Sequence, residues 1–235
     1  MNSMKINAEQ VERLYAFTRQ HYVEYYDLQT ELVDHLANAI EEQWQQNPKL
    51  SFEEALQIEF KKFGVFGFME VVEKRQVALN KKYNKLVWQL LKTFFSIPKI
   101  IGTISAIGIV YYLLKSTQED FEIIQAIFIV LIVLFMIGLG VISRKNKKKN
   151  QQTEKKWLLK EIIFGYSSFT GLINIPIQLV LHLNGKHFHN WTLALFSFLL
   201  VLLSLTMYIV LVLIPSQAED YLKATYPEYE LLQKL

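Results

Sequence analysis

Residues 121–143 have the sequence FEIIQAIFIVLIVLFMIGLGVIS, in which Glu122 is the sole charged residue. An α-helix of this length reaches ~35 Å at ~1.5 Å per residue, enough to cross a ~30 Å hydrocarbon layer. Three other runs have the same apolar character: Thr93–Leu114, Ile162–Leu183 and Trp191–Ile214. The sequence therefore predicts an all-α protein with a four-helix transmembrane bundle in a membrane domain over residues 86–215.

The N-terminal residues 1–85 contain no apolar run longer than a few residues, so we expect a separate small helical domain there. Apolar side chains spaced by three and four residues predict a first helix, Ala8–Gln20, whose buried face extends to Tyr22. Asp27 is the expected N-cap of a second helix over Leu28–Gln46.

A third helix is predicted from the clearest start signal in the chain. Ser51 and Glu54 have the spacing of a capping box, in which their side chains accept backbone N–H groups of the first turn. Gly64 supplies the left-handed residue that ends this helix. A fourth helix starts near residues 65–68 and meets no breaker before Pro98, so we expect a continuous rod into the first span.

The tail, residues 216–235, is amphipathic. Pro227 is expected to start a short helix. That helix would expose its apolar side chains for contact with the N-terminal domain or with a partner: Tyr229, Leu232 and Leu235.

Positive charge is concentrated beside the predicted spans, although the net charge of the chain is +3. Residues 1–85 hold 11 Lys and Arg against 13 Asp and Glu, whereas the linker 144–156 alone holds seven Lys and Arg. Short cytoplasmic loops collect Lys and Arg, so the linker and both termini are predicted to face the cytoplasm, with Trp88, Trp157 and Trp191 as interface anchors. We expect anionic lipid rather than nucleic acid as the partner of the membrane-surface cations: Arg144, Lys145, Lys147, Lys148 and Lys149.

The third predicted span carries a polar stripe at helical spacing: Ser167, Thr170, Asn174 and Gln178. Lipid cannot satisfy amide side chains, so this stripe must face the helix bundle. It has two interpretations. It provides interhelical hydrogen bonds, or it forms the wall of a cavity for a small molecule or a lipid headgroup.

Histidines occur in two places where a metal site deserves consideration. His182, His187 and His189 would bind Zn or Cu if the outer turns meet, although interfacial histidines without a metal are commoner, and no metal is predicted. His35 lies near Glu31 on the second helix, where a structural histidine is the commoner outcome. The chain shows no motif of a known catalytic class and no cofactor fingerprint, which favours a non-enzymatic protein.

Three blocks of the N-terminal domain carry a resemblance: LQTELVDHLANAIEE at 28–42, LSFEEAL at 50–56 and FKKFG at 60–64. Together they resemble the HAAS-type domain, a small helical module that precedes multi-pass regions in bacterial membrane proteins and some permeases. The resemblance implies a sensor or regulatory protein of the bacterial cytoplasmic (inner) membrane, with a PadR-like regulator among the partners it suggests.

The sequence-level hypothesis is therefore an integral membrane protein that couples a transmembrane bundle to a cytoplasmic helical interaction domain. The alternative is a small transporter or a permease accessory subunit that uses the polar stripe. A cytoplasmic or membrane protein partner is expected in addition to lipid, and oligomer formation is left open.

Overall fold

The computed structural model describes residues 5–117, 121–150, 155–165, 189–226 and 228–229 of the 235-residue chain. Every regular element within these residues is a helix. The chain divides into two units, the first formed by Met1–Leu79 with Asn150–Glu161 and the second by Asn80–Lys149 with Ile162–Leu235. The polypeptide therefore passes between the units three times.

The first unit contains three complete helices, whose bounds are α1 (Ala8–Gln20), α2 (Tyr26–Gln46) and α3 (Phe52–Lys61). The bounds of α1 are those that the apolar spacing predicts. The helices pack through side chains that are almost fully buried, and burial of this apolar area is the main source of their stability: Leu14, Phe17, Leu28, Leu32, Leu36, Ile40 and Leu56. Phe68, in the turn that follows α3, is also fully buried.

The ends of α3 confirm the local signals in the sequence. Ser51 accepts the N–H of Glu54 at 3.3 Å, and the Glu54 carboxylate accepts the N–H of Ser51 at 3.1 Å. Gly64 has a φ of 74°, as expected for the residue that turns the chain out of the helix. A second capping box, formed by Asn7 and Gln10, starts α1.

Two predictions at the junction of α1 and α2 are wrong. Tyr22 is 81% exposed with a φ of 64°, so it does not extend the buried face of α1. Asp27 is not the N-cap of α2, because the helix already starts at Tyr26 and its N-cap residue, Tyr25, makes no side-chain cap. The Asp27 carboxylate instead accepts the N–H of Leu158 at 3.1 Å.

The chain does not run into the first span as one rod, because α4 (Met69–Thr93) ends before α5 (Lys99–Ser116) begins. Pro98 has no N–H for the carbonyl of Phe94, and its ring would clash with that carbonyl in a continued helix. The Phe94 carbonyl accepts the hydroxyl of Thr103 instead, at 2.8 Å. The helix that corresponds to the predicted first span therefore starts at Lys99, six residues after the predicted start at Thr93.

Three helices of the described residues are long and apolar enough to cross a membrane, by length and composition: Lys99–Ser116, Glu122–Lys148 and Asn190–Ser216. The part of the chain that the structure describes is thus all-helical and has the features of a membrane protein. The second of these spans lies within α6 (Phe121–Asn150). The predicted span Ile162–Leu183 begins in α7 (Leu158–Phe164) and then lies outside the described residues.

The last of these spans begins as α8 (Asn190–Tyr208) and continues through a π-helical turn, Ile209–Leu213, into α9 (Ile214–Ser216). Pro215 explains the wider turn, since it cannot donate to the carbonyl four residues earlier. The N–H of Ile214 donates to the carbonyl of Ile209, five residues back.

The second unit has its own apolar core, formed by α5, α6 and α8. Its buried side chains are Leu114, Ile124, Phe128, Leu193, Phe196, Leu200 and Leu203. A Cβ placed on Gly138 of α6 would lie 2.7 Å from Leu211 Cδ1 in the π-helical turn. Glycine at this position therefore permits α6 to approach that turn closely.

The tail forms α10 (Ala218–Thr225) within the second unit, where Lys82 donates to the hydroxyl of Thr225 at 3.2 Å. Tyr229 is 7% exposed, so the prediction that it is free for contact is wrong. The predicted contact residues Leu232 and Leu235 lie outside the described residues.

Candidate functional site: a clasp between the basic linker and the N-terminal helices

The cations that follow the second span are divided between two structural environments. Arg144, Lys145, Lys147 and Lys148 are exposed on the last turns of α6, which continues past its apolar run. The helical conformation is favourable there, because Lys and Arg are good helix formers and stabilise a helix C-terminus. Lys155 and Lys156 instead lie in the first unit, beside the junction of α1 and α2.

Two hydrogen bonds donated by backbone N–H groups hold the linker to this junction. The N–H of Tyr26 donates to the carbonyl of Lys156 at 2.7 Å, and the N–H of Leu158 donates to the Asp27 carboxylate at 3.1 Å. The Tyr26 N–H lies in the first turn of α2 and the Leu158 N–H in the first turn of the helix Leu158–Phe164, where N–H groups have no partner within their own helix. We refer to Glu24–Asp27 with Lys155–Leu158 as the clasp.

Side chains add three contacts to the clasp. Lys156 donates to Glu24 at 2.8 Å, and this bond raises the pKa of the lysine. The Lys155 ammonium lies 4.1 Å from the ring centroid of Tyr26, within cation–π range. The Trp157 ring meets the same tyrosine edge to face at 5.5 Å.

The Trp157 side chain is buried in the clasp, since it is only 5% exposed. The prediction that it is an interface anchor is therefore wrong, since a side chain buried in protein has no surface to offer the lipid. Trp88 and Trp191 are 51% and 68% exposed and keep the surface that an interface anchor requires.

A groove of about 830 Å³ opens beside the clasp. Lys155 and Lys156 line it together with Glu12, Tyr15 and Arg19, so it presents both signs of charge and an aromatic ring. Burial raises the pKa of Tyr15, whose hydroxyl lies 3.2 Å from that of Thr30. These groups are suited to binding charged side chains or headgroups.

The other predicted site residues have varied outcomes. His35 is exposed, and its ring centroid lies 6.0 Å from that of Phe63. Within the described residues no group of His, Asp and Glu is arranged to hold a metal, and His189 is an exposed residue at the start of α8. His182, His187 and the whole polar stripe lie outside those residues: Ser167, Thr170, Asn174 and Gln178.

The residues of the clasp were missed because their partners are far apart in the sequence. One local signal existed. Trp157, Leu158 and Leu159 form an apolar triplet directly after Lys155 and Lys156, and all three are buried. An apolar triplet at the end of a charged linker is a reason to expect docking onto protein rather than exposure to solvent.

Comparison of the chain with protein-family models, with curated proteins and with solved structures found no match. The resemblance to the HAAS-type domain stays a prediction that rests on its three blocks, which lie in α2, at the start of α3 and at its end.

Proposed function

We propose that the chain is a non-enzymatic sensor or regulatory membrane protein in which the membrane helices act on the N-terminal helical unit through the clasp. The observation that carries this proposal is a pair of hydrogen bonds, in which the Tyr26 N–H donates to the Lys156 carbonyl and the Leu158 N–H donates to the Asp27 carboxylate. A linker that served only to connect the candidate span in α6 with the predicted third span would not need such bonds.

Chain connectivity supplies the mechanism. The clasp segment follows α6 by a few residues and leads directly into α7, where the predicted third span begins. A shift of either span, caused by the lipid or by a ligand, pulls on residues that hold the first turn of α2. The N-terminal unit would then change the surface that it offers to a cytoplasmic partner, for which the HAAS-type resemblance suggests a PadR-like regulator.

The proposal is tested with the full chain in native membranes, carrying a promiscuous biotin ligase at its N-terminus. Asp27→Ala and Trp157→Ala break the clasp, whereas Asp34→Ala on the exposed face of α2 and Trp88→Ala on α4 are matched controls. We expect the set of labelled soluble proteins to change in the first pair only. Identical profiles in all four variants would overturn the regulatory role.

The fourth helix offers an independent test of coupling. Insertion of three or four Ala after Lys82 rotates and lengthens α4 by ~1.5 Å per residue. If α4 also couples the membrane helices to the N-terminal unit, the insertion changes partner labelling although the clasp residues are intact. Unchanged labelling would assign the coupling to the clasp without α4.

The proposed orientation, with the linker and both termini in the cytoplasm, has a direct test because the chain contains no cysteine. Lys147→Cys introduces a single thiol on the exposed end of α6. We expect no reaction with a membrane-impermeant maleimide in intact cells and full reaction after lysis. Reaction in intact cells would invert the topology.

The alternative, a small transporter or permease accessory subunit, depends on the polar stripe outside the described residues. It predicts that Asn174→Leu and Gln178→Leu abolish flux while the protein still assembles in the membrane.

A further inference from the structure

Apolar side chains are exposed together on one face of the first unit. Tyr22, Phe66 and Met69 are 81%, 74% and 60% exposed, and with Val72 they line a groove of about 650 Å³. Glu70 and Glu73 lie on the wall that α4 contributes. We refer to these six residues as the α4 groove. It shares no residue with the clasp.

The backbone fixes the exposure of Phe66. Gly64 and Gly67 flank the turn with φ values of 74° and 53°, and a Cβ on Gly67 would lie 3.0 Å from the Phe60 ring. The interior position beneath the turn is taken by Phe68, which is fully buried and in ring contact with Phe60. Phe66 therefore cannot exchange places with a core residue without rebuilding the turn.

Tyr22 is held outward in a similar way. Its φ of 64° is in the left-handed region, which is unfavourable for a residue with a Cβ. Such conformations persist where the surrounding structure imposes them, and they are concentrated at binding sites. Two separate turns thus present aromatic rings to one groove.

Charge selects the occupant of the groove. Lys74 already pairs with Glu70 at 2.6 Å, so Glu73 is the carboxylate that remains for a ligand. An anionic lipid surface would be repelled by this wall. A second copy of the chain in a two-fold contact would bring like charges together. A cationic protein segment would be attracted by these carboxylates and not repelled.

We propose that the α4 groove binds a basic amphipathic helix of a protein partner. The apolar residues of that helix at i, i+3 or i+4, and i+7 contact Tyr22, Phe66 and Met69, and a flanking Lys or Arg pairs with Glu73. This proposal rests on the proposed function, since it names the chemistry of the partner that the N-terminal unit meets.

The test uses the full chain in native membranes with the photoreactive residue p-benzoylphenylalanine at position 66 and, separately, at position 69. We expect adducts whose sequenced peptide comes from another protein and forms a basic amphipathic helix. Glu73→Lys and Val72→Ser should reduce the adduct at position 66 about tenfold, as truncation of a central contact does. The matched controls Glu42→Lys and Ile58→Ser, at exposed positions on α2 and α3, should leave it unchanged.

Carbodiimide coupling of Lys156 to Glu24, which joins an amine to a carboxylate in direct contact, verifies in each variant that the unit is folded. Adducts with lipid, with a second copy of the chain or with an acidic segment would overturn the proposal, and so would the absence of adducts at both positions. If adducts form with a basic helix while clasp variants leave partner labelling unchanged, the α4 groove stands and the regulatory coupling fails.

Discussion

The two basic stretches between the second and third predicted spans have similar composition and different surroundings. Residues 144–149 continue α6 with their described cations exposed, whereas Lys155–Leu158 is bound by backbone and side chains to the N-terminal helices. The difference comes from the neighbours of the cations. Trp157 and Leu158 supply apolar surface that must be buried, while Asn and further Lys surround the first stretch. The comparison shows that charge density alone does not identify a lipid-binding linker.

The largest effect is expected when the buried ring of Trp157 is removed. Trp157→Ala should lower the local free energy of opening of the clasp by about 3 kcal/mol, because loss of a buried aromatic leaves a cavity. Hydrogen–deuterium exchange of the full chain in nanodiscs should then show faster exchange at the start of α2. Trp88→Ala, which removes a half-exposed ring, is the control, and equal protection in both variants would contradict a docked Trp157.

A smaller effect is expected when the acceptor for Leu158 is removed. Asp27→Ala leaves a buried N–H without that carboxylate and should cost ~1–3 kcal/mol. Asp27→Asn keeps an oxygen acceptor and should retain most of the protection. Exchange rates at residues 155–159 measure both, and Asp34→Ala serves as the exposed control on the same helix. A full loss in the Asn variant would show that charge, and not the hydrogen bond, holds the linker.

The exposed stretch should respond to lipid instead. Lys147→Glu with Lys148→Glu should weaken binding of the full chain to phosphatidylglycerol by about 1 kcal/mol per cation, without altering exchange in α1 and α2. Thermal stabilisation in nanodiscs with and without this lipid provides the measurement. If the double variant instead deprotects α2, the two stretches are one structural element and the contrast is lost.

The smallest effect belongs to the exposed ion pair of the clasp. Lys156→Glu should cost ~0.2–1 kcal/mol, since both partners are largely solvated. The pKa of Lys156 is raised in the folded state, so the pair contributes fully below the ordinary lysine pKa of 10.5 and is lost as pH rises through the higher folded value. Exchange protection, corrected for intrinsic rates, should be unaffected by the pair's ionisation between pH 7 and 9. A fall within that window would assign the pH response to another group.

Local signals in the sequence predicted local structure well. The Ser51 and Glu54 capping box, the left-handed Gly64 and the bounds of α1 all appear in the structure, because each depends on residues within one or two helical turns. Three of the four apolar runs correspond to candidate spans, and the fourth continues outside the described residues.

Features that depend on distant partners were not predictable in the same way. Asp is a residue type that N-caps prefer, yet the carboxylate of Asp27 accepts the N–H of Leu158, which lies 131 residues away in the sequence. Tyr22 falls on the apolar spacing of α1 but lies past the helix end, where a left-handed turn points it outward. The predicted rod is interrupted after Thr93, because Pro98 cannot donate to the carbonyl of Phe94, four residues earlier.

The sequence by itself determined the helical class, the length of the apolar runs and the signals that start and stop individual helices. Each of these follows from side-chain size, polarity and spacing along a few turns. Only the tertiary structure decided which cations bind the N-terminal helices, and which aromatic rings form the core and which form the α4 groove. Burial depends on which surfaces meet in space. The clasp is formed by two segments that are more than 130 residues apart in the sequence, as the Lys156–Glu24 and Leu158–Asp27 bonds show.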